Sequence, residues 1–166
     1  MTRELLGAIL EGYALDPWGI HGLPHWGRVL ETGLRLAART GADPRVVALF
    51  ALFHDARRLN DGHDPDHGRR GAQLARRLRG RYLHLEDPAF RLLAAACTHH
   101  TAGRTEGDLT LRTCWDADRL DLWRVGIEPR PERLCTAAAR DPELRAWARG
   151  RSLANHMPAA LERLLP

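Results

Sequence analysis

Histidine and aspartate are the residues of this chain best fitted for chemistry, and four of them stand where a metal ion could use them. His54-Asp55 closes the apolar run Val46 to Phe53, in ALFHDARR, so both side chains leave the end of a helix that must be buried. A second pair, His63-Asp64, lies in the polar loop NDGHDPDHG, where turn chemistry accounts for polar residues by itself. Neighbours on a helix point about 100° apart, so His54 and Asp55 grip one ion only in the groove between their directions. Further ligands must then come from other helices. His25, in HGLPHWGRVLE, and Asp118, in CWDADRLDLW, are the candidates. A His, His, Asp, Asp set suits a divalent first-row ion such as Mn, Fe, Co, Ni or Zn, with positions left for water or substrate.

The ordered set His25, His54-Asp55, Asp118 resembles the H…HD…D pattern of the HD-domain metal-dependent phosphohydrolase superfamily. HGLPHWGRV resembles its HxxxHxxRV stretch, ALFHDA its central motif and DADRLD its last, over about residues 20 to 125. The resemblance implies an all-α fold, a helical bundle with the metal site between helices. It also implies hydrolysis of phosphate esters, commonly of nucleotides, by water activated on a divalent metal, Mg included. His67, in DHGRRGAQL, resembles an additional family histidine before a Gly-Ala helix, and His99-His100, in ACTHHTAG, the histidines that complete a second site. His100 is the favoured one of these two, because Thr101 and Gly103 bend the helix end there. The full set is that of binuclear members, so one or two ions per chain are expected. Such members include cyclic-dinucleotide phosphodiesterases and di-iron oxygenases of the same fold, so ligands alone do not fix the reaction. No GYP tripeptide follows His99-His100, which argues against the cyclic-dinucleotide reading.

Other polar residues take supporting roles. His21 precedes His25 by one helical turn and is a candidate contact for a substrate phosphate. Asp121, one turn after Asp118, would orient a ligand or read a ribose hydroxyl in the substrate, while Asp116 points away and caps or pairs with arginine. Arg57 and Arg58 stand where some relatives carry an acid that helps activate water. Without it, the base is left to a metal-bound hydroxide, Asp55 or Asp118. Arg58 is instead suited to bind phosphate, which makes Asp55, Asp118 and Arg58 the expected catalytic residues.

Helices must position these groups. Apolar stripes recur at helical spacing: Leu5, Leu6, Ile9, Leu10, Tyr13, then Val29, Leu30, Leu34, Ala37, then the broad Val46–Phe53 run. Asp-Pro recurs at 43–44, 87–88 and 141–142, a capping aspartate followed by a proline preset for the first helical turn. Gly41, Gly80, Gly103 and Gly126 stand where helices should stop. Helices are expected near 2–14, 24–39, 44–58, 67–79, 88–100, 110–124, 131–139, 142–149 and 158–164, in a single domain over 1–166. Residues beyond about 125 have helical pattern without recognisable chemistry, and cover the core or form a contact in a homodimer.

Composition bounds the partners. With 44% hydrophobic and 28% charged residues the chain reads as a globular domain, not a disordered one. All 25 basic residues are arginine, spread over nearly every segment, and the net charge is only +4. That balance favours a phosphorylated small molecule and argues against nucleic acid. The apolar run is too short for a bilayer, which takes about 20 residues, so no membrane partner is expected. Three separated cysteines, Cys97, Cys114 and Cys135, and an N-terminus without a signal pattern fit the cytoplasm. The expectation is a metal-dependent phosphohydrolase acting on a nucleotide or related phosphomonoester. Its alternatives are a di-iron oxygenase of the same fold and a non-catalytic nucleotide-binding module.

Overall fold

In the computed structural model residues 1–165 are described, and every regular element among them is helical. The order is α1 (Arg3–Leu10), α2 (Leu23–Thr40), α3 (Pro44–Phe53), α4 (His67–Leu78), α5 (Asp87–His99), α6 (Leu109–Arg119), α7 (Ala137–Arg140), α8 (Pro142–Leu153) and α9 (Ala159–Glu162). Two 3₁₀ turns, Leu122–Val125 and Pro131–Arg133, separate α6 from α7. None of these helices is long and apolar enough to cross a membrane. The all-α architecture expected from the periodicity is the one observed.

Local chemistry explains most boundaries. Asp43 and Asp141 cap α3 and α8 by accepting the Arg45 and Leu144 amides at 2.9 Å, each with proline in the first turn. At the third Asp-Pro the cap is Glu86, and Asp87 instead accepts a 2.6 Å hydrogen bond from Arg79. Gly41 ends α2 with a φ of +82°, a left-handed turn open to glycine at no steric cost.

The element α3 is the apolar centre: Val46, Val47, Phe50, Leu52 and Phe53 have no exposed surface. It packs against α2, α5 and α6, while α4 lies on α5 and α3. The expected helix over 44–58 stops at Phe53, because α4 crosses that end closely. A Cβ on Gly71 would lie 2.1 Å from the Phe53 carbonyl oxygen. His54 still donates its amide to Phe50, and the chain then turns through Ala56 and Arg58. That stop is what lets His54 and Asp55 leave a helix end into the space between α2, α4, α5 and α6.

Several other helices differ from expectation. The first ends at Leu10 rather than 14, since Gly12 turns left-handed with φ +74°. The expected 110–124 helix breaks after Arg119, and 131–139 resolves into a 3₁₀ turn and the short α7. Asp116 explains the second difference. Fully buried, it accepts the Cys135 amide at 2.6 Å and both the amide and hydroxyl of Thr136 at 2.8 Å. It therefore caps the approach to α7 and pairs with no arginine among the described residues. Burial raises its pKa even against those three donors. Asp116→Ala strands the donors and is expected to lower unfolding stability by about 1.5–3 kcal/mol, read by urea denaturation. The three cysteines are free and buried, as small core residues.

Candidate metal centre

Two groups of ligand atoms converge at the end of α3. In the first, the Nε2 atoms of His25 and His54 are 3.0 Å apart. Asp55 Oδ2 lies 3.7 and 4.0 Å from them, and Asp118 Oδ1 3.4 and 3.7 Å. In the second, the Nε2 atoms of His67 and His100 are 2.8 Å apart, with Asp55 Oδ1 at 3.0 and 3.7 Å. Asp55 thus turns one oxygen to each histidine pair. Donors bound to one ion at about 2.0–2.2 Å are separated by about 3–3.6 Å, and the two groups, at 3.0–4.0 Å and 2.8–3.7 Å, lie within a few tenths of an ångström of that range.

The hydrogen bonds on the far side of each ring decide what the near side offers. His25 Nδ1 donates to Asp121 Oδ2 at 2.7 Å, and His54 Nδ1 to the carbonyls of Ala51 and Phe50 at 3.1 and 3.2 Å. His100 Nδ1 donates to the Cys97 carbonyl at 2.7 Å, and His67 Nδ1 to that of Asp64. Carbonyl oxygens only accept, so the proton sits on Nδ1 and Nε2 carries a lone pair. Each pair therefore brings two nitrogen lone pairs within 3.0 Å of one another, an arrangement that repels unless a cation lies between them. The donor set fits a divalent ion at each group.

The surroundings act differently on the individual groups. Burial, only partly offset by Asp55 and Asp118, lowers the His54 pKa to about 3, so the ring is neutral at ordinary pH. Burial opposes ionisation of Asp55, but His54, His100, His21 and His67 outweigh it and hold the carboxyl well below the usual range. Asp118 is lowered in the same way, by His25, His54 and His100 against burial. His100 moves upward despite its burial, because Asp55 and Asp118 favour positive charge there.

A family model for the HD domain matches residues 23–139. The chain belongs to the HD-domain family. Among solved structures it is similar to a predicted HD superfamily hydrolase from an uncultured Thermotogales bacterium. That likeness has 28% identity and a TM-score of 0.66, covering 92% of this chain and 87% of that one. No curated protein matches the chain in sequence.

Within this HD domain the structure brings together His21, His25, His54, Asp55, Arg58, His67, His100 and Asp118, from five separate stretches of sequence. It does not bring His99. As the last residue of α5, His99 points about 100° away from His100 and makes no side-chain hydrogen bond among the described residues, so it is not part of either ligand group. Asp121 also differs from its expected contact with substrate. Its oxygens accept from His25 and, at 2.7 and 3.0 Å, from Arg28, and only 3% of it is exposed. Buried behind His25 and Arg28, it is not open to a ribose. It orients His25, the other role open to it.

His21 donates through Nδ1 to Asp55 Oδ2 at 2.7 Å, so it stands against the shared carboxylate, as does Arg58, whose NH1 is 3.6 Å from Asp55 Oδ1 and 3.3 Å from His67 Nε2. Arg57 faces elsewhere and holds the end of α1 through the Ile9 and Glu11 carbonyls. Sequence reasoning passed over Asp64. It is buried and accepts from the Leu59 amide and Arg70, which shapes the loop whose carbonyl orients His67. The Asp64-Pro65 dipeptide was the available signal, since Asp-Pro marks helix starts elsewhere in the chain and α4 begins at His67.

Proposed function

We propose that this HD domain is a metal-dependent phosphohydrolase whose substrate is a phosphorylated small molecule, a nucleotide or related phosphomonoester. The observation that carries the reading is Asp55 set between two pairs of lone-pair-bearing histidines, with the Arg58 guanidinium beside it. A hydrolase is also what the similar Thermotogales protein is named for. In this reading His25, His54, Asp118 and Asp55 Oδ2 hold one ion, and His67, His100 and Asp55 Oδ1 a second.

A divalent ion there supplies Lewis acidity, lowering the pKa of a bound water toward neutrality and polarising a phosphoryl oxygen. The chain's own groups do the rest. Asp118 is the most open of the ligating side chains, 16% exposed against 0–3% for the others, so substrate approaches from its side. Its Oδ2 makes no hydrogen bond among the described residues and is free to take a proton from the attacking water. The Arg58 Nε and NH2 groups are fixed on the Asn60 and Gly62 carbonyls, which presets NH1 toward the centre as a phosphate contact. His21, anchored on Asp55 by Nδ1, leaves Nε2 as an acceptor for a water or a substrate hydroxyl rather than a donor to the phosphate.

The test is phosphate release from a panel of nucleoside monophosphates and sugar phosphates, with metal-free protein reloaded with Mn, Co, Ni, Zn or Mg. Turnover on at least one ester is expected, lost with chelator and restored by metal. Absence of release across the reloaded panel would sink the reading. Iron in the purified protein together with oxygen consumption would replace it by the oxygenase alternative.

A further inference from the structure

The matched family region ends at residue 139, yet the chain beyond it reaches back to the metal centre. We propose that the last turn of α8 and the residues just after it, carrying Ser152, Asn155 and His156, form a positioning device that sets metal affinity through Arg28, Asp121 and His25. The contacts are continuous. Arg28 lies one turn after His25 on α2, so both side chains share a face. Its Nε and NH2 bind both oxygens of Asp121, at 2.7 and 3.0 Å, and Asp121 Oδ2 fixes the His25 ring at 2.7 Å. The remaining nitrogen, NH1, donates to Asn155 Oδ1 at 2.9 Å and to the His156 carbonyl at 3.3 Å. Ser152 Oγ donates to the main-chain carbonyl of Asp121 at 3.1 Å. Asp121 is therefore held twice from the same turn, on its backbone and through Arg28 on its carboxylate.

Burial of the inner groups and the backbone of the turn both bear on this arrangement. Arg28, Asp121 and Ser152 are 2–3% exposed, while Asn155 itself is exposed, so its side chain is the outermost link to a buried guanidinium. Asn155 is the one described non-glycine residue with positive φ, at +45°. Asparagine is, after glycine, the residue that best takes this left-handed position just past a helix end, and the turn it makes aims Oδ1 at the guanidinium behind a metal ligand. The turn does not need Asn155 to dock. Gly27 packs so closely on Pro158 that a Cβ would lie 2.7 Å from it, and Leu161 is fully buried. The Asn155 side chain is thus free for positioning. Groups that support a metal ligand directly change affinity by about 10–100-fold, and one contact further out the effect should be about three- to tenfold.

The inference rests on the metal reading of the site and not on its substrate. The experiment is calorimetric titration of the metal-free full chain with Mn²⁺, beside thermal unfolding of the same samples. Asn155→Gly removes Oδ1 while glycine suits the left-handed backbone, so unfolding temperature should hold or rise as affinity falls about three- to tenfold. Asn155→Asp keeps an acceptor for Arg28 and should restore affinity. Wild-type affinity in Asn155→Gly, or no recovery in Asn155→Asp, overturns the positioning role while leaving the centre intact. A wild-type chain that binds no Mn²⁺ overturns the metal centre and this role together.

Discussion

Replacing Asp55 with alanine is expected to strip the protein of bound divalent metal and to lower phosphate release by more than about 10³-fold, the cost of losing a single preorganised electrostatic donor at a transition state. Its two oxygens serve different histidine pairs, at 3.7 and 4.0 Å on one side and 3.0 and 3.7 Å on the other. Removal leaves the first group with Asp118 alone as an anion and the second with none. Two neutral imidazoles then face each other with no charge to hold a dication. Asp55→Asn should be intermediate, since it keeps an oxygen on one side but puts an NH₂ donor toward the other. Elemental analysis of both variants after dialysis, beside the release assay, checks this. Full metal content in Asp55→Ala would show that the carboxylate does not join the two groups.

How much of this was open to the sequence follows from how locally each feature is determined. Asp43 and Asp141 cap their helices with the residues next to them, so composition alone placed those starts. The end of α3 was not local. It depends on α4 pressing Gly71 against the Phe53 carbonyl, and no pattern within 44–58 carries that information. The same division runs through the site. His25, His54, Asp55 and Asp118 lie in compact stretches whose order was readable, and the structure brings them within 4.0 Å in the pairs named above. Choosing between His99 and His100 needed the rotation of α5, which the Cys97 carbonyl fixes by accepting from His100.

Residues beyond 125 offer the sequence only a cover for the core or a subunit contact, because Ser152, Asn155 and Thr136 are ordinary turn and cap residues by type. Their partners, Arg28 with Asp121 and then Asp116, are distant in sequence, so only the fold joins them. Asp121 shows the same limit. Its spacing from Asp118 put it near the centre, but whether it faced substrate or a ligand depended on Arg28, which arrives from α2.

The number of ions is the second large expectation, and His100 is the residue that decides it. Its Nε2 is 2.8 Å from that of His67 and 3.7 Å from Asp55 Oδ1, while it contributes nothing to the first group. His100→Ala should therefore lower bound metal from about two ions to about one and cut turnover by more than about 100-fold, the upper end for groups that only support a ligand. A second consequence separates the cases. With Mn²⁺, a wild-type pair of ions sharing the Asp55 carboxylate should give an exchange-coupled paramagnetic signal, and His100→Ala the signal of an isolated ion. The competing force is Arg58, whose positive NH1 stands 3.3 Å from His67 Nε2 and opposes a dication in the second group. If that repulsion wins, the wild type itself binds one ion, His100→Ala changes neither stoichiometry nor signal, and Arg58→Ala raises the count. Asp55 then serves the first ion with Oδ2 and leaves Oδ1 to the guanidinium and His67, a single-ion centre flanked by a fixed phosphate contact.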